Sequence, residues 1–168
     1  MWVWLGTSGA TPWLGVIALI VIGVRAAEAA KVASAANARG RPEGGERVWK
    51  FAIASVLGAL LAVAVSDSLC GRVLKPGFAQ ARPCAVSVTT VPKPLECGSG
   101  YAMPSAHASN TAALAVTLGS LPLAIVAAVV GVSRVVDGQH WPSDVIVGWG
   151  IGGFIGMMFR RLAEWVVR

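Results

Sequence analysis

Apolar residues in this chain run in long unbroken blocks instead of alternating with polar ones. No Asp, Glu, Lys or Arg falls within 1–24, 51–66, 97–133 or 145–159, runs at or near the length a helix needs to cross a bilayer. Helix is the expected form of each, because a backbone in lipid must satisfy its own N–H and C=O groups. The blocks and the breakers between them predict about five helices. The first covers roughly 11–30; its cations follow the apolar stretch instead of preceding it, so it reads as a retained helix and not a signal peptide. Ala38 to Glu46 has the Gly, Pro and charge density of a turn. A second helix starts near Arg47, with Trp49 and Lys50 as interfacial anchors, and runs toward Asp67. From Cys70 to Met103 Pro and Gly are too frequent for a membrane span, which predicts a loop outside the membrane or packed on protein. After Pro104 the run Gly119-Ser120-Leu121-Pro122 divides the next apolar block into two helices of about sixteen residues, each roughly 24 Å long, a hairpin with a tight turn. A last helix opens at Pro142 and reaches Arg160-Arg161, and its Gly148, Gly150, Gly152, Gly153 and Gly156 permit close approach of a neighbour.

Composition fits this picture. The 168 residues are 55% hydrophobic and only 13% charged, where soluble domains carry about a quarter charged residues. That excludes a disordered chain, a disulfide miniprotein and an ordinary cytosolic enzyme. The length suits one domain, 1–168, an all-α polytopic transmembrane bundle. A net charge of +6 invites a nucleic-acid partner, but nine of the fourteen Lys and Arg lie between Arg25 and Lys50 or at Arg160, Arg161 and Arg168. Both groups flank apolar runs as cytoplasmic loops do, so the charge points to a bilayer and to no nucleic acid. With the 25–50 loop cytoplasmic, 66–104 and 134–143 lie outside and the 119–122 turn and the tail inside, in a cell's inner membrane. The polar residues that look purposeful then gather on the periplasmic or exterior face.

Those residues have a pattern. His107 follows Pro104-Ser105-Ala106, and His140 precedes Trp141-Pro142-Ser143-Asp144, so each histidine sits at the start of a helix, where free N–H groups and the dipole favour an anion. Lys75, Arg82 and Arg134 are cations on the translocated side, where positive charge is disfavoured. Singly, each reads as a solvated cap or a snorkelling side chain. Their joint spacing is more specific. Six residues separate Lys75 from Arg82-Pro83, Pro104-Ser105-Ala106-His107 follows, and Ser133-Arg134 has His140 after five intervening residues and Asp144 after three more.

This order resembles the three-part signature of the type 2 phosphatidic acid phosphatase superfamily, K-x6-RP, PSGH and SR-x5-H-x3-D, over 75–144. Ala106 departs from it, standing where the pattern has Gly. The superfamily's membrane members commonly have six helices, so this chain looks one short at its N-terminus. The resemblance implies a lipid phosphatase in which His140 is the nucleophile that becomes phosphohistidine, Asp144 orients it and His107 protonates the leaving group. Lys75, Arg82 and Arg134 would grip the phosphoryl oxygens, with Ser105 and the N–H groups near Ala106 and His107 completing the cradle. It implies no cofactor; no carboxylate cluster for magnesium and no Cys/His spacing for zinc is visible. The expected partner is a phosphorylated lipid whose tail stays in the bilayer. Undecaprenyl diphosphate is the first choice, because an outward site suits a carrier released there; phosphatidylglycerol phosphate, phosphatidic acid, lipid A 1-phosphate and a prenyl-phosphosugar phosphate are alternatives. Oligomeric state leaves no mark in the sequence.

Around the motifs, Asn110 shares a helix face with His107 and reads mainly as a helix-packing residue, Asp67 pairs with Arg72 or lies in the interface, Asp137 reads as solvated, and Trp141 as a wall of the site. Cys84 and Cys97 bracket the loop between the first two motifs, so an oxidising outer face would allow a disulfide, with Cys70 the odd cysteine; three free thiols is the alternative. Two rival functions share these features. One is a non-catalytic module that binds anionic lipid headgroups, which would not require the His and Asp dyad. The other is a vanadate-dependent haloperoxidase, which shares the motif but is soluble.

Overall fold

The computed structural model describes residues 42–86 and 97–168, with scattered positions between 23 and 39. The described residues form helices and no strand. Of the helix expected over 11–30, residues 11–22 lie outside the described residues; positions 29–35 are helical. The next helix, α1, is Pro42–Ser68 and so begins five residues before Arg47, inside the stretch read as a turn. Pro42 opens it at a position where a missing N–H removes no intrahelical bond.

Helix also continues past Asp67, against the loop expected from Cys70 onward. A π-helical turn, Leu69–Leu74, follows α1, and the Lys75 N–H reaches back five residues to the Cys70 carbonyl. Pro76 then falls in the first turn of a short segment, Lys75–Phe78, where proline is tolerated. Ala79 ends it in the left-handed conformation with φ 47°. The hairpin expected after Pro104 is present as α2, Ala106–Leu118, and α3, Leu121–Val136; Gly119 makes the turn at φ 58°. Helix α4, Pro142–Val166, runs six residues beyond Arg160.

Helix α2 is the axis of the bundle and packs against α1, α3 and α4. Its closest neighbour is α4, and the glycines explain why. A Cβ at Gly148 would meet the Ser105 carbonyl oxygen at 2.6 Å, one at Gly156 would meet that of Ala113 at 2.7 Å, and one at Gly152 would overlap that of Ser109. Three glycines four residues apart thus face three backbone carbonyls four residues apart, in register, as in close-packed membrane helices. Gly150 and Gly153 face open space and take no part. On the other side, Ser66 of α1 and Ser109 of α2 share a buried 2.7 Å hydrogen bond, and Ala59, Ala62 and Ile155 complete a core of small and aliphatic groups.

Large apolar side chains are exposed on the outside, and several polar ones are buried. Leu121, Ile125, Val129, Val132 and Val136 form an exposed stripe down α3, while Ser109, Thr111, Thr117, Arg134 and Asp144 are buried. Gly45–Phe78 and Pro142–Val166 are long and apolar enough to cross a membrane, yet only 22% and 28% of their most apolar windows are buried in the protein. Helices of that length in a soluble core would turn their apolar side chains inward; these present them outward, as a lipid solvent demands.

Candidate active site

The end of the bundle where α2 and α4 begin and α3 finishes collects the motif residues. Ser105 caps α2, its Oγ accepting from the Ala108 N–H at 3.5 Å, and its own N–H donates to the Asp144 carbonyl at 3.0 Å. The starts of the two helices are therefore tied together at the point where Gly148 lets the backbones meet. Ser105 and Asp144 are wholly buried.

The five residues between Arg134 and His140 form a turn that closes on itself. Gly138 supplies the left-handed residue at φ 65°, and the N–H groups of Gln139 and His140 both donate to the Arg134 carbonyl at 3.1 Å. The histidine is thereby pinned beside the arginine. Four residues on, Asp144 lies in the first turn of α4, close enough for its Oδ2 to accept from the Trp141 N–H at 2.8 Å. The same oxygen is 3.4 Å from His140 Nδ1, a contact too long to count as a formed hydrogen bond. Asp144 Oδ1 has no hydrogen-bond partner although it is buried. A buried imidazole nitrogen and a buried carboxylate thus face one another with capacity to spare.

Arg82 arrives from the loop after Phe78. That loop is fastened by the Ala102 N–H to Gln80, by Trp141 Nε1 to the Ala81 carbonyl and by the Cys84 N–H to Gly138, bonds of 2.8 to 3.0 Å. Its guanidinium donates to the carbonyls of Gly100, Ser99 and Gln139 and to Gln139 Oε1. Cys84 and Cys97 are bridged, with Cα atoms 5.8 Å apart, and Cys70 is a buried free thiol. Lys75 is half-buried in the short helical segment and His107 half-buried in the first turn of α2, one residue after Ala106.

These groups lie within electrostatic reach of one another. His107 feels the charges of Arg134, His140, Lys75 and Arg82, and Lys75 feels Arg82 and Asp144. For His140, burial holds the pKa below the ordinary imidazole value; the Asp144 carboxylate opposes that shift, and Arg82 and Lys75 add to it. His140 is accordingly neutral at neutral pH.

Some expectations need correction. Asp137 is not merely solvated: its Oδ2 pairs with Arg134 Nη2 at 3.1 Å, three residues back along the chain. Asp67 accepts from Asn110 Nδ2 at 2.9 Å, not from Arg72, so Asn110 joins α1 to α2. Trp141 is half-buried and holds the Ala81 loop. One residue went unremarked in the sequence. Gln139 is 6% exposed, and its Oε1 accepts from the Gly98 N–H at 3.0 Å as well as from Arg82. Its only local signal was its place between two motif residues; its partners come from 41 and 57 residues away.

The sequence has counterparts among known proteins. A family model described as the PAP2 superfamily matches residues 55–168. The chain belongs to the PAP2 superfamily. All three motif blocks, 75–144, fall inside the match. Among similar superfamily proteins, a Bacteroides thetaiotaomicron protein named lipid A 4'-phosphatase is 28% identical over 133 residues, 69% of this chain and 57% of that one. A Sulfolobus acidocaldarius protein named undecaprenyl-diphosphatase is 36% identical over 123 residues, 67% of this chain and 55% of the other. The Mycobacterium tuberculosis protein named decaprenylphosphoryl-5-phosphoribose phosphatase is 42% identical over 62 residues, 34% of this chain and 35% of its own. The chain thus spans little more than half the length of the first two relatives. No solved structure matches it at a significant level.

Proposed function

We propose that this PAP2 superfamily member is an integral membrane phosphatase that hydrolyses a lipid phosphate or diphosphate through a phosphohistidine on His140. The observation that carries the reading is the His140 and Asp144 dyad, buried, 3.4 Å apart and within electrostatic reach of Lys75 and Arg82, with Arg134 in reach of Arg82 and His107. Because Asp144 faces Nδ1, the proton of the neutral imidazole belongs there and Nε2 keeps its lone pair. Nε2 attacks phosphorus, the bond from phosphorus to the lipid oxygen breaks, and His107 gives that oxygen its proton. Asp144 stabilises the positive charge that forms on the imidazole. Water then attacks the phosphoryl group, His107 takes the water's proton, and phosphate leaves with His140 restored. Throughout, the three cations balance the charge on the equatorial oxygens, the part that metal ions play in other phosphoryl transfers. A phosphate dianion also offsets the cations around His107 and so favours the protonated form that an acid requires.

The substrate class follows from the same site set at one end of an apolar bundle: a phosphate in reach of water, carried on a tail that stays in lipid. Undecaprenyl diphosphate remains the first choice, supported by the name of the 36% identical relative. Lipid A phosphate and prenyl-phosphoribose phosphate, named for the other two, are alternatives together with phosphatidylglycerol phosphate and phosphatidic acid. The charge bias of the helix ends supports a site facing outward from an inner membrane.

Phosphate release by purified protein in detergent, with chelator present, from each of these lipids tests the reading. Release should persist under chelation, and His140→Ala should lower it by about three orders of magnitude or more. Release that stops on chelation, or that survives in the variant, contradicts the mechanism; no release from any lipid favours a headgroup-binding module.

A further inference from the structure

We propose that Gln139 is a positioning residue that aims the Arg82 guanidinium at the phosphate, a role that rests on the phosphatase reading and adds to it. Arg82 comes from a loop 57 residues away from Gln139 and has no helix of its own to fix it. Gln139 supplies that frame at two atoms. Its backbone oxygen accepts from Arg82 Nη1 at 3.0 Å, and its side-chain Oε1 accepts from the same nitrogen at 3.3 Å. That side chain is itself held, because Oε1 also accepts from the Gly98 N–H at 3.0 Å. The Gln139 N–H donates to the Arg134 carbonyl, the acceptor that also receives the His140 N–H. One buried residue therefore joins the arginine of the first motif to the arginine and the histidine of the third.

The packing leaves little slack. A Cβ on Gly98 would stand 2.9 Å from Gln139 Oε1 and 3.2 Å from the Arg82 guanidinium carbon. Gly98 adjoins Cys97, whose disulfide ties to Cys84 the start of the segment that brings the Ser99 and Gly100 carbonyls to Arg82. A guanidinium donates to a phosphoryl oxygen along a set direction only if its plane is fixed. With Nε held by Gly100, Nη1 by Gln139 and one N–H of Nη2 by Ser99, the orientation of that plane is set before substrate arrives and the remaining Nη2 N–H is left for the phosphate, the arrangement that lowers the cost of binding.

The test compares wild type with Gln139→Met, which keeps the length of the side chain and removes its acceptor, and with Gln139→Asn, which keeps the amide but withdraws it by one methylene. Each is measured for kcat and KM on the best lipid substrate, and for affinity toward vanadate, a phosphate mimic, by thermal shift of the purified protein. Both variants should weaken vanadate binding and raise KM by about ten-fold, the loss of one charge-assisted hydrogen bond. In an Arg82→Lys background, which lacks the guanidinium, the same changes should add almost nothing. A merely structural role would lower the melting temperature and leave vanadate affinity unmoved in the folded fraction. Wild-type vanadate affinity in folded Gln139→Met or Gln139→Asn, or an undiminished further loss in the Arg82→Lys background, overturns the assignment. Failure of wild type to release phosphate from any lipid counts against the phosphatase reading instead, since vanadate affinity is read separately.

Discussion

At the scale of single residues, the proposed mechanism depends on the tautomer and charge of His140. Burial lowers its pKa and Asp144 raises it, so removing the carboxylate should lower it further. Asp144→Asn is therefore expected to reduce kcat by about a thousand-fold, because the amide no longer holds the correct tautomer. It should also move the acid limb of the kcat/KM profile to lower pH, since the neutral imidazole survives to lower pH without its partner. An acid limb displaced upward on the same substrate would refute the assigned roles. The motif residues were legible because their spacing is local: SR-x5-H is a turn that closes on the Arg134 carbonyl, and H-x3-D runs from that turn through the Trp141 cap into the first turn of α4. Asp137 was misread although its partner lies only three residues away, since a turn residue beside an arginine reads equally well as solvated. Gln139 was not legible, because its side chain accepts from Arg82 of the first motif and from Gly98 in the loop beyond it, 57 and 41 residues away.

Among the elements, the contact between α2 and α4 carries the site, as it sets Ser105 against Asp144. Gly152→Ala places a methyl group on the Ser109 carbonyl and should destabilise the protein by about 1–3 kcal/mol through overpacking. Gly150→Ala, one position that faces open space, should be neutral or stabilise by up to about 1 kcal/mol. Melting temperatures in detergent compare the two, and equal effects would mean that the glycine register does not hold the helices together. All five glycines looked alike in sequence; only the neighbour decides which are required. Helix cores were legible from apolar blocks, whereas two boundaries were not. Pro42 reads as a breaker until it is known to stand first in α1, and Pro76 reads as one until the π-helical turn before it is seen.

For the molecule as a whole, the exposed large apolar side chains along helices long enough to cross a membrane argue for a protein dissolved in lipid, with the motif residues gathered at one end. The outward orientation can be checked with Gly77→Cys, an exposed position where a side chain meets nothing within 4 Å. An impermeant maleimide should label it in intact cells; labelling only after permeabilisation would place the site inside. The Cys84–Cys97 bridge closes a loop of sequence separation 13, which in the chain-entropy view stabilises by about 3 kcal/mol. Reductant should then lower the melting temperature by several degrees, and an unchanged value would show that the bridge does not support the fold. The most direct measurement is to quench the purified enzyme during turnover of undecaprenyl diphosphate and map phosphorylation by mass spectrometry under alkaline conditions, where phosphohistidine persists. The expected result is a phosphoryl group on His140, absent from His140→Ala; turnover with no adduct at any stage, or with the adduct on another residue, would contradict the mechanism.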